Sequence, residues 1–149
     1  MFTHALFATD GSELSSQAAT TAIQVAKALG AKMTAMNAVH PFHAVFENEG
    51  FIMPNMPELQ ERFEAEAKAH AEKILHEIKK AASEAGVQCF SAVVVGDIPY
   101  KAIIEQAGKS KCDVIMMASH GRRGLQSMLL GSETQQVLTH SKIPVLVLR

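Results

Sequence analysis

Five short apolar runs alternate with four longer amphipathic segments along the chain. The apolar runs are nearly continuous, which is typical of strands that are buried on both faces of a parallel sheet. The segments between them carry apolar residues at three- and four-residue spacing, as amphipathic helices do. The alternation predicts an α/β fold in which helices cover both faces of a five-stranded parallel sheet. The predicted strands are 2–9, 32–39, 87–95, 112–118 and 144–148, and the predicted helices are 13–29, 58–85, 98–107 and 132–140.

Several residues mark where the predicted helices begin and end. Ser12 is a good N-cap for the first helix, and Gly30 is suited to close it. Leu14 and Leu29 belong to the apolar stripe that we expect this helix to turn inward. In the longest helix, we expect the stripe of Leu59, Phe63, Ala67, Ile74, Ile78 and Ala81 or Ala82 to be core.

The size and composition of the chain exclude several classes of protein. Its 149 residues suit one domain, 1–149, and the formal net charge of −1 gives no general attraction to nucleic acid or to an anionic membrane. None of the apolar runs approaches the roughly 18 residues that a membrane-spanning helix needs. The N-terminus lacks the pattern of a secretion signal. Two cysteines, Cys89 and Cys112, fit buried and reduced thiols, so we expect a cytoplasmic protein without nucleic-acid or membrane partners.

A glycine-bearing loop follows the fourth predicted strand and leads to the last helix. It runs Ala118–Gly124, and Gly131-Ser132 stands at the start of the helix after six further residues. Glycines let the main chain approach an anion closely, and the first N–H groups of a helix point toward it. This arrangement predicts a phosphate-binding loop. Ser132 is equally suited to be the N-cap of the helix, and the two roles are compatible.

A second loop with suitable chemistry follows the first strand, at Thr9–Ser12. If the strand order is 3-2-1-4-5, strands one and four are neighbours at the point where the order reverses, so the two loops face each other at the carboxyl ends of the strands. Asp10 could then accept ribose hydroxyls while the glycine loop surrounds phosphates. The alternative is that Asp10 forms an Asx turn over Gly11.

The spacing Gly-x2-Gly-x9-Gly-Ser/Thr resembles the ATP-binding signature of the universal stress proteins of the UspA type. The match runs from Ala118 through Gly121 to Gly131-Ser132, with alanine in the place of the first glycine. The early Asp10-Gly11-Ser12 and the ending 143–148 are also similar to that family. The resemblance covers the whole chain and implies a Rossmann-like fold with strand order 3-2-1-4-5, a dimer and, in one branch of the family, bound ATP.

The same resemblance implies roles for individual positions. Asp10 would meet the ribose with Thr9 nearby, and backbone groups of Ala38 or Val39 would face the adenine. The candidate residues around the phosphates are Ala118, His120, Gly121, Arg122, Gly124, Gly131, Ser132 and Glu133. Glu133 places a carboxylate beside the phosphates, which would repel a polyphosphate unless Mg²⁺ or Arg122 intervenes. The expected ligand is ATP, with AMP or ADP as alternatives.

Three kinds of function compete for this arrangement. The first is an ATP-binding dimer that regulates other proteins in the stress response, the second is the same dimer without nucleotide, and the third is a slow ATPase. Against an enzyme, the helix after the glycine loop supplies no Walker lysine, and there is no G-x-S-x-G nucleophile elbow. His40 and His43 lie beside two glutamates in a loop rather than at i, i+4 on a helix, which favours a surface role over a metal site.

Two further features suggest contacts with other surfaces. The stretch 40–57 is long for a connection in a compact domain, and its apolar side chains suit a flap over the nucleotide or against a partner subunit. The last strand, 144–148, is apolar on both faces, so we expect both faces to be buried while one backbone edge stays open. Antiparallel pairing of two such edges would give a homodimer, which the family resemblance also implies.

Overall fold

The computed structural model describes residues 1–43, 56–121 and 130–149. It contains a five-stranded parallel sheet in the order β3-β2-β1-β4-β5, as predicted. The strands are β1 (His4–Thr9), β2 (Lys32–Val39), β3 (Cys89–Val95), β4 (Val114–Ala118) and β5 (Val145–Leu148). The helices are α1 (Glu13–Leu29), α2 (Pro57–Glu84), α3 (Pro99–Lys109) and α4 (Ser132–His140).

Two apolar cores lie on opposite faces of the sheet. On β1, Ala5 and Phe7 join the core made with α1 and α2, whereas Leu6 and Ala8 join the core made with α3 and α4. Successive side chains of a strand point to opposite faces, so a strand covered on both sides is apolar throughout. The continuous apolar runs in the sequence have this physical origin.

The predicted ends of α1 are confirmed. The Ser12 side chain accepts a hydrogen bond from the Ser15 N–H at 3.2 Å, and Gly30 adopts the left-handed conformation (φ 63°) that closes the helix. The C-cap of α2 is Ala85, and Gly86 follows it at φ 79°. Because a positive φ strains any residue with a Cβ, glycine suits positions 30 and 86 for a conformational reason.

Several apolar residues are more exposed than the sequence predicts, and two of them, Phe90 and Val95, lie in the edge strand β3. Phe2 lies before β1 rather than in it, and Leu14 is 50% exposed in the first turn of α1. Leu59 is 41% exposed because α2, at about 42 Å, extends far beyond the strands. The buried residues of α2 begin only at Ala71. In β5, Leu146 is exposed, so the prediction that both faces of this strand are buried was wrong for that position.

The two cysteines are buried and are not joined in a disulfide. Burial, together with the nearby Asp113 carboxylate, raises the pKa of the Cys112 thiol to about 11. Burial also raises the pKa of Cys89. Both thiols are therefore protonated at neutral pH and are poor nucleophiles.

Candidate functional site

Three segments meet at the carboxyl ends of β1 and β4, and we call this meeting point the loop junction. It consists of residues 9–12, which lead from β1 into α1, residues 118–121, which follow β4, and residues 131–134, which begin α4. Because β1 and β4 are adjacent strands, with Ala8 opposite Met117, the loops after them emerge side by side. A junction of this kind at the reversal of strand order is where open α/β sheets bind ligands.

The Asp10 carboxylate lies against Gly121. A methyl group built on Gly121 would overlap Asp10 Oδ2, so a larger residue at this position would displace the carboxylate. The other oxygen, Oδ1, accepts a hydrogen bond from the Ser12 N–H at 3.0 Å. Asp10 therefore forms an Asx turn, as one of the two interpretations of the sequence held, and also lies beside the glycine loop, as the other requires.

Gly131 joins the start of α4 to the glycine loop. Its N–H donates to the Ser119 carbonyl at 2.7 Å, and a Cβ on Gly131 would lie 3.3 Å from both His120 Cα and the Ser119 carbonyl oxygen. This glycine allows close contact between two stretches of the protein's own backbone. The sequence suggested this glycine for the approach of a phosphate, and that role stays a prediction.

The beginning of α4 differs in one respect from the sequence prediction. The N-cap is Gly131, and Ser132 is the exposed first residue of the helix rather than its cap. Since glycine has no side chain, the N-cap residue makes no side-chain hydrogen bond to the first turn. Helix N–H groups that are not capped by a side chain are suitable donors for an anion.

Side chains below the junction satisfy the carbonyl groups at the ends of the two central strands. Asn37 Nδ2 donates to the Thr9 carbonyl at 3.0 Å, and Thr134 Oγ1 donates to the Ala118 carbonyl at 2.9 Å. In addition, the Ser15 hydroxyl donates to Thr9 Oγ1 at 2.7 Å. All five of these residues are buried. These hydrogen bonds fix the ends of β1 and β4 through contacts within the protein itself.

The sequence interpretation did not single out Asn37, Ser15 or Thr134. One signal was available for Asn37, because asparagine is depleted in strands and here interrupts an apolar one. Ser15 and Thr134 look like ordinary polar residues in the first turns of helices. The hydrogen bonds in the structure show that their hydroxyl groups reach back to the strand ends.

Three further predicted residues, Ala38, Val39 and His120, lie at the same end of the sheet. Ala38 and Val39 end β2 and are half-buried. The Val39 carbonyl accepts from the Gly96 N–H at 3.0 Å and so points toward β3, and because these directions alternate, the Ala38 carbonyl points toward β1. His120 Nδ1 lies 3.1 Å from Ser119 Oγ. Arg122 and Gly124 lie outside the described residues.

Glu133 is the second residue of α4, and its Oε2 is buried. Among the residues that the structure describes, this oxygen has no hydrogen-bond partner. A carboxylate near the positive end of a helix is favourable, by about 0.3–1 kcal/mol at an exposed site. The same carboxylate also places an oxygen ligand suitable for a divalent cation next to the loop junction.

The predicted flap, 40–57, lies largely outside the described residues, and its beginning is anchored to two parts of the fold. Phe42 is buried and packs edge-on against Phe63 of α2, with ring centroids 5.4 Å apart. His43 Nε2 lies 3.4 Å from Asp97 Oδ1, in the loop after β3, and both side chains are exposed. Within the described ranges, no three His, Cys, Asp or Glu residues are grouped to hold a metal ion.

Comparison with known proteins identifies the family of the chain. The model of the Universal stress protein family matches residues 1–149. The chain belongs to the universal stress protein family. Universal stress protein MJ0531 of Methanocaldococcus jannaschii is 34% identical over 143 residues, covering 95% of this chain and 78% of that protein. The resemblance that the sequence suggested is thereby confirmed.

Solved structures of the same kind share the fold of this universal stress protein. The structure of MJ0577, a universal stress protein of Methanocaldococcus jannaschii, gives a TM-score of 0.79 at 27% identity and covers 99% of this chain and 96% of that one. A universal stress protein in complex with cAMP gives a TM-score of 0.68 at 26% identity, with 99% and 97% covered.

Proposed function

We propose that this universal stress protein binds an adenine nucleotide at the loop junction and acts as a nucleotide-dependent dimeric regulator in the stress response. Residues 1–149 then form a single nucleotide-binding domain. The observation that carries the proposal is the contact between the Asp10 carboxylate and Gly121. It brings an acceptor for ribose hydroxyls next to a backbone turn that is suited to phosphates.

The two helix N-termini at the junction support an anionic ligand. Two helices begin there, α1 just after Ser12 and α4 just after Gly131. The N-terminus of each helix carries a positive partial charge, so both ends favour phosphate. The relative solved with cAMP, at 26% identity, supports an adenine nucleotide as the class of ligand.

ATP is the proposed ligand, and AMP and ADP are the alternatives that a titration separates. The proposed contact residues on the nucleoside side are Thr9, Asp10 and the backbone of Ala38 or Val39. The proposed phosphate side comprises Ala118, His120, Gly121, Arg122, Gly124, Gly131, Ser132 and Glu133. The buried Oε2 of Glu133 fits a requirement for Mg²⁺, which would neutralise charge between this carboxylate and a polyphosphate.

We propose a binding role rather than catalysis. Ser119 and His120 are neighbours in the chain, and the sequence around them lacks the G-x-S-x-G elbow that presents a nucleophilic serine. No lysine follows the glycine loop to stabilise charge on a transferred phosphate. The two alternatives to this proposal are a slow ATPase and an interaction protein that binds no nucleotide.

The proposed homodimer forms through β5, at 144–148. The amide groups of Ile115 and Ser119 donate to the carbonyls of Pro144 and Leu148, so these β5 groups point toward β4. Because backbone direction alternates along a strand, the groups of Val145 and Val147 point away from the sheet. Antiparallel pairing with a second copy would satisfy them and cover the exposed Leu146.

We further propose a cytoplasmic protein with no nucleic-acid or membrane partner. The formal net charge of −1 and the two free, buried thiols support this proposal. Among the described residues, no helix is long and apolar enough to cross a bilayer.

Nucleotide binding is tested first by mass spectrometry of gently purified protein and then by calorimetric titration with AMP, ADP and ATP, with and without Mg²⁺. Asp10→Ala should lower the affinity about 10- to 150-fold, because it removes a hydrogen bond to a charged group. Asp10→Asn is the matched variant, since its amide oxygen can still accept from Ser12 N–H while the charge is lost. Wild-type protein that binds none of the three nucleotides would contradict the proposal.

The dimer is tested by Val147→Pro, which removes an outward N–H without touching the bonds to β4. Light scattering should show a dimer for the wild type and a monomer for the variant. A matched change on β3, the other edge of the sheet, is Val95→Pro, which should leave the dimer intact. A monomeric wild type, or a dimeric Val147→Pro, would refute pairing through β5.

A further inference from the structure

The loop junction is fastened at two separate places. On the β1 side, Asn37 and Ser15 hold the backbone carbonyl and the hydroxyl of Thr9. On the β4 side, Thr134 holds the carbonyl of Ala118, and the Gly131 N–H holds that of Ser119. In the proposed function the β1 side receives the nucleoside and the β4 side receives the phosphates.

On the β4 side, two hydrogen bonds flank the residues whose N–H groups would meet a phosphate. The Gly131 N–H donates just before Ser132, at 2.7 Å, and the Thr134 hydroxyl donates just after Glu133, at 2.9 Å. The turn is thus held on both sides against residues 118–119. The first bond belongs to the backbone, so the Thr134 hydroxyl is the attachment that a side-chain substitution can remove.

The hydrogen bond from the Thr134 hydroxyl to the Ala118 carbonyl is buried. Thr134 is 3% exposed and Ala118 is 8% exposed, so bulk solvent is kept away from the hydrogen bond between them. A buried carbonyl that loses its donor must find another partner, and the nearest consequence is a shift of the first turn of α4. Such a shift moves the N–H groups of Ser132 and Glu133 without touching Asp10.

We propose that Thr134 is a positioning residue for the phosphates of the ligand, because its hydroxyl fixes the first turn of α4 to the end of β4. This inference rests on the proposed function and adds that different residues position the phosphate side and the nucleoside side of the site. Thr134 affects the binding of phosphate-bearing ligands, whereas the nucleoside half stays fixed by Asn37 and Ser15. The loss of the Thr134 hydroxyl therefore weakens the binding of AMP and leaves the binding of adenosine unchanged.

The experiment compares AMP with adenosine on four proteins: wild type, Thr134→Val, Thr134→Ser and Thr139→Val. Thr139 is the matched control, since its hydroxyl also donates to a backbone carbonyl, but that carbonyl belongs to Gln135 of the same helix, at 2.8 Å, and Thr139 is exposed in the last turn. Thr134→Val should weaken AMP about tenfold and leave adenosine unchanged. Thr134→Ser should restore AMP binding, and Thr139→Val should match the wild type.

Equal losses for AMP and adenosine in Thr134→Val would show a general structural role and overturn the inference, as would no loss at all. Thr134→Ala, which buries less carbon, should give the same split and replaces the valine variant if that protein does not fold. A wild type that binds neither ligand overturns the proposed function and this inference together. A wild type that binds AMP, with Thr134→Val unchanged, overturns the inference alone.

Discussion

An aspartate borders a central strand at each end of the sheet, and the two carboxylates have different surroundings. Asp113 precedes β4 at the amino end, where it accepts from the Thr3 N–H at 2.8 Å, the Thr3 hydroxyl at 2.7 Å and the His4 N–H at 3.0 Å. Asp10 follows β1 at the carboxyl end, where it closes an Asx turn and lies against Gly121. The comparison separates a carboxylate that joins two strands from one placed where loops and helix N-termini meet.

A second polar contact at the amino end of the sheet connects two neighbouring strands. His4 Nε2 lies 2.8 Å from Thr34 Oγ1, joining β1 to β2, and both side chains are buried. Burial, followed by the positive charge of Lys32, lowers the pKa of His4. Burial works against the charge on Asp113, but the hydrogen bonds from His4 and Thr3 outweigh it, and the pKa of Asp113 is lowered. These groups join strands to one another, whereas those at the carboxyl end surround the site that we propose for a ligand.

The largest effect is expected from Gly131→Val, at the carboxyl end. Its branched side chain would be forced into the backbone of residues 119–121, and such overpacking costs about 1–3 kcal/mol. Because the first turn of α4 must move, nucleotide binding should also be lost. Titration and chemical unfolding measure the two effects, and unchanged affinity would show that this contact plays no part in binding.

Asp113→Ala should give the opposite pattern. It removes the acceptor of three hydrogen bonds that join the start of β1 to β4, and since two of these bonds are exposed, the free energy of unfolding should fall by about 1–2 kcal/mol. Nucleotide affinity should stay at the wild-type value. A variant that is as stable as the wild type, or that loses affinity, would break the distinction between the two ends.

Gly121→Ala sharpens the role of Asp10. The new methyl group displaces the Asp10 carboxylate rather than backbone, so it should weaken binding mainly through Asp10. In a double-mutant cycle, Gly121→Ala should therefore cost little when Asp10 is already alanine, with a coupling of about 1 kcal/mol. Additive losses would mean that the two residues act independently.

The smallest effect concerns pH and the amino end. The pKa of folded His4 lies below the ordinary value of 6.5, so the unfolded chain takes up this proton first as the pH falls. The contribution of His4 to stability is therefore complete above pH 6.5 and is lost as the pH falls below it. Unfolding midpoints between pH 7.5 and 5.5 should decline less in His4→Gln than in the wild type. Asp113 titrates below its ordinary 3.8 and so does not interfere. Equal declines of the unfolding midpoint in the two proteins would show that His4 does not contribute to this pH dependence.

Much of the fold could be predicted from the sequence because burial on both faces imposes continuous apolar strands. The same pattern could not locate the exposed Leu14, Leu59 and Leu146, whose positions depend on where a helix extends past the sheet and where the sheet ends. The local sequence pattern predicts which side of a helix or strand is apolar, but it does not predict whether neighbouring elements extend far enough to cover that side.

The loop junction was predictable only in outline. Strand order and the family resemblance brought Asp10 and Gly121 to the same end of the sheet, and the structure places them in contact. The hydroxyl of Thr134 and the three bonds to Asp113 could not be predicted, because each joins residues more than ten positions apart in the chain. The ligand-binding roles of the candidate residues stay predictions.

The central claim is that nucleotide binds where Asp10, Gly121 and Gly131 meet. Amide chemical-shift mapping during titration with AMP and then ATP tests it directly, because backbone signals report the place of binding. The account predicts that the largest shifts are those of Gly121, Gly131 and Ser132, while His4, Thr34 and Asp113 stay unchanged. Shifts concentrated at the amino end of the sheet, or no shifts with either nucleotide, would contradict it.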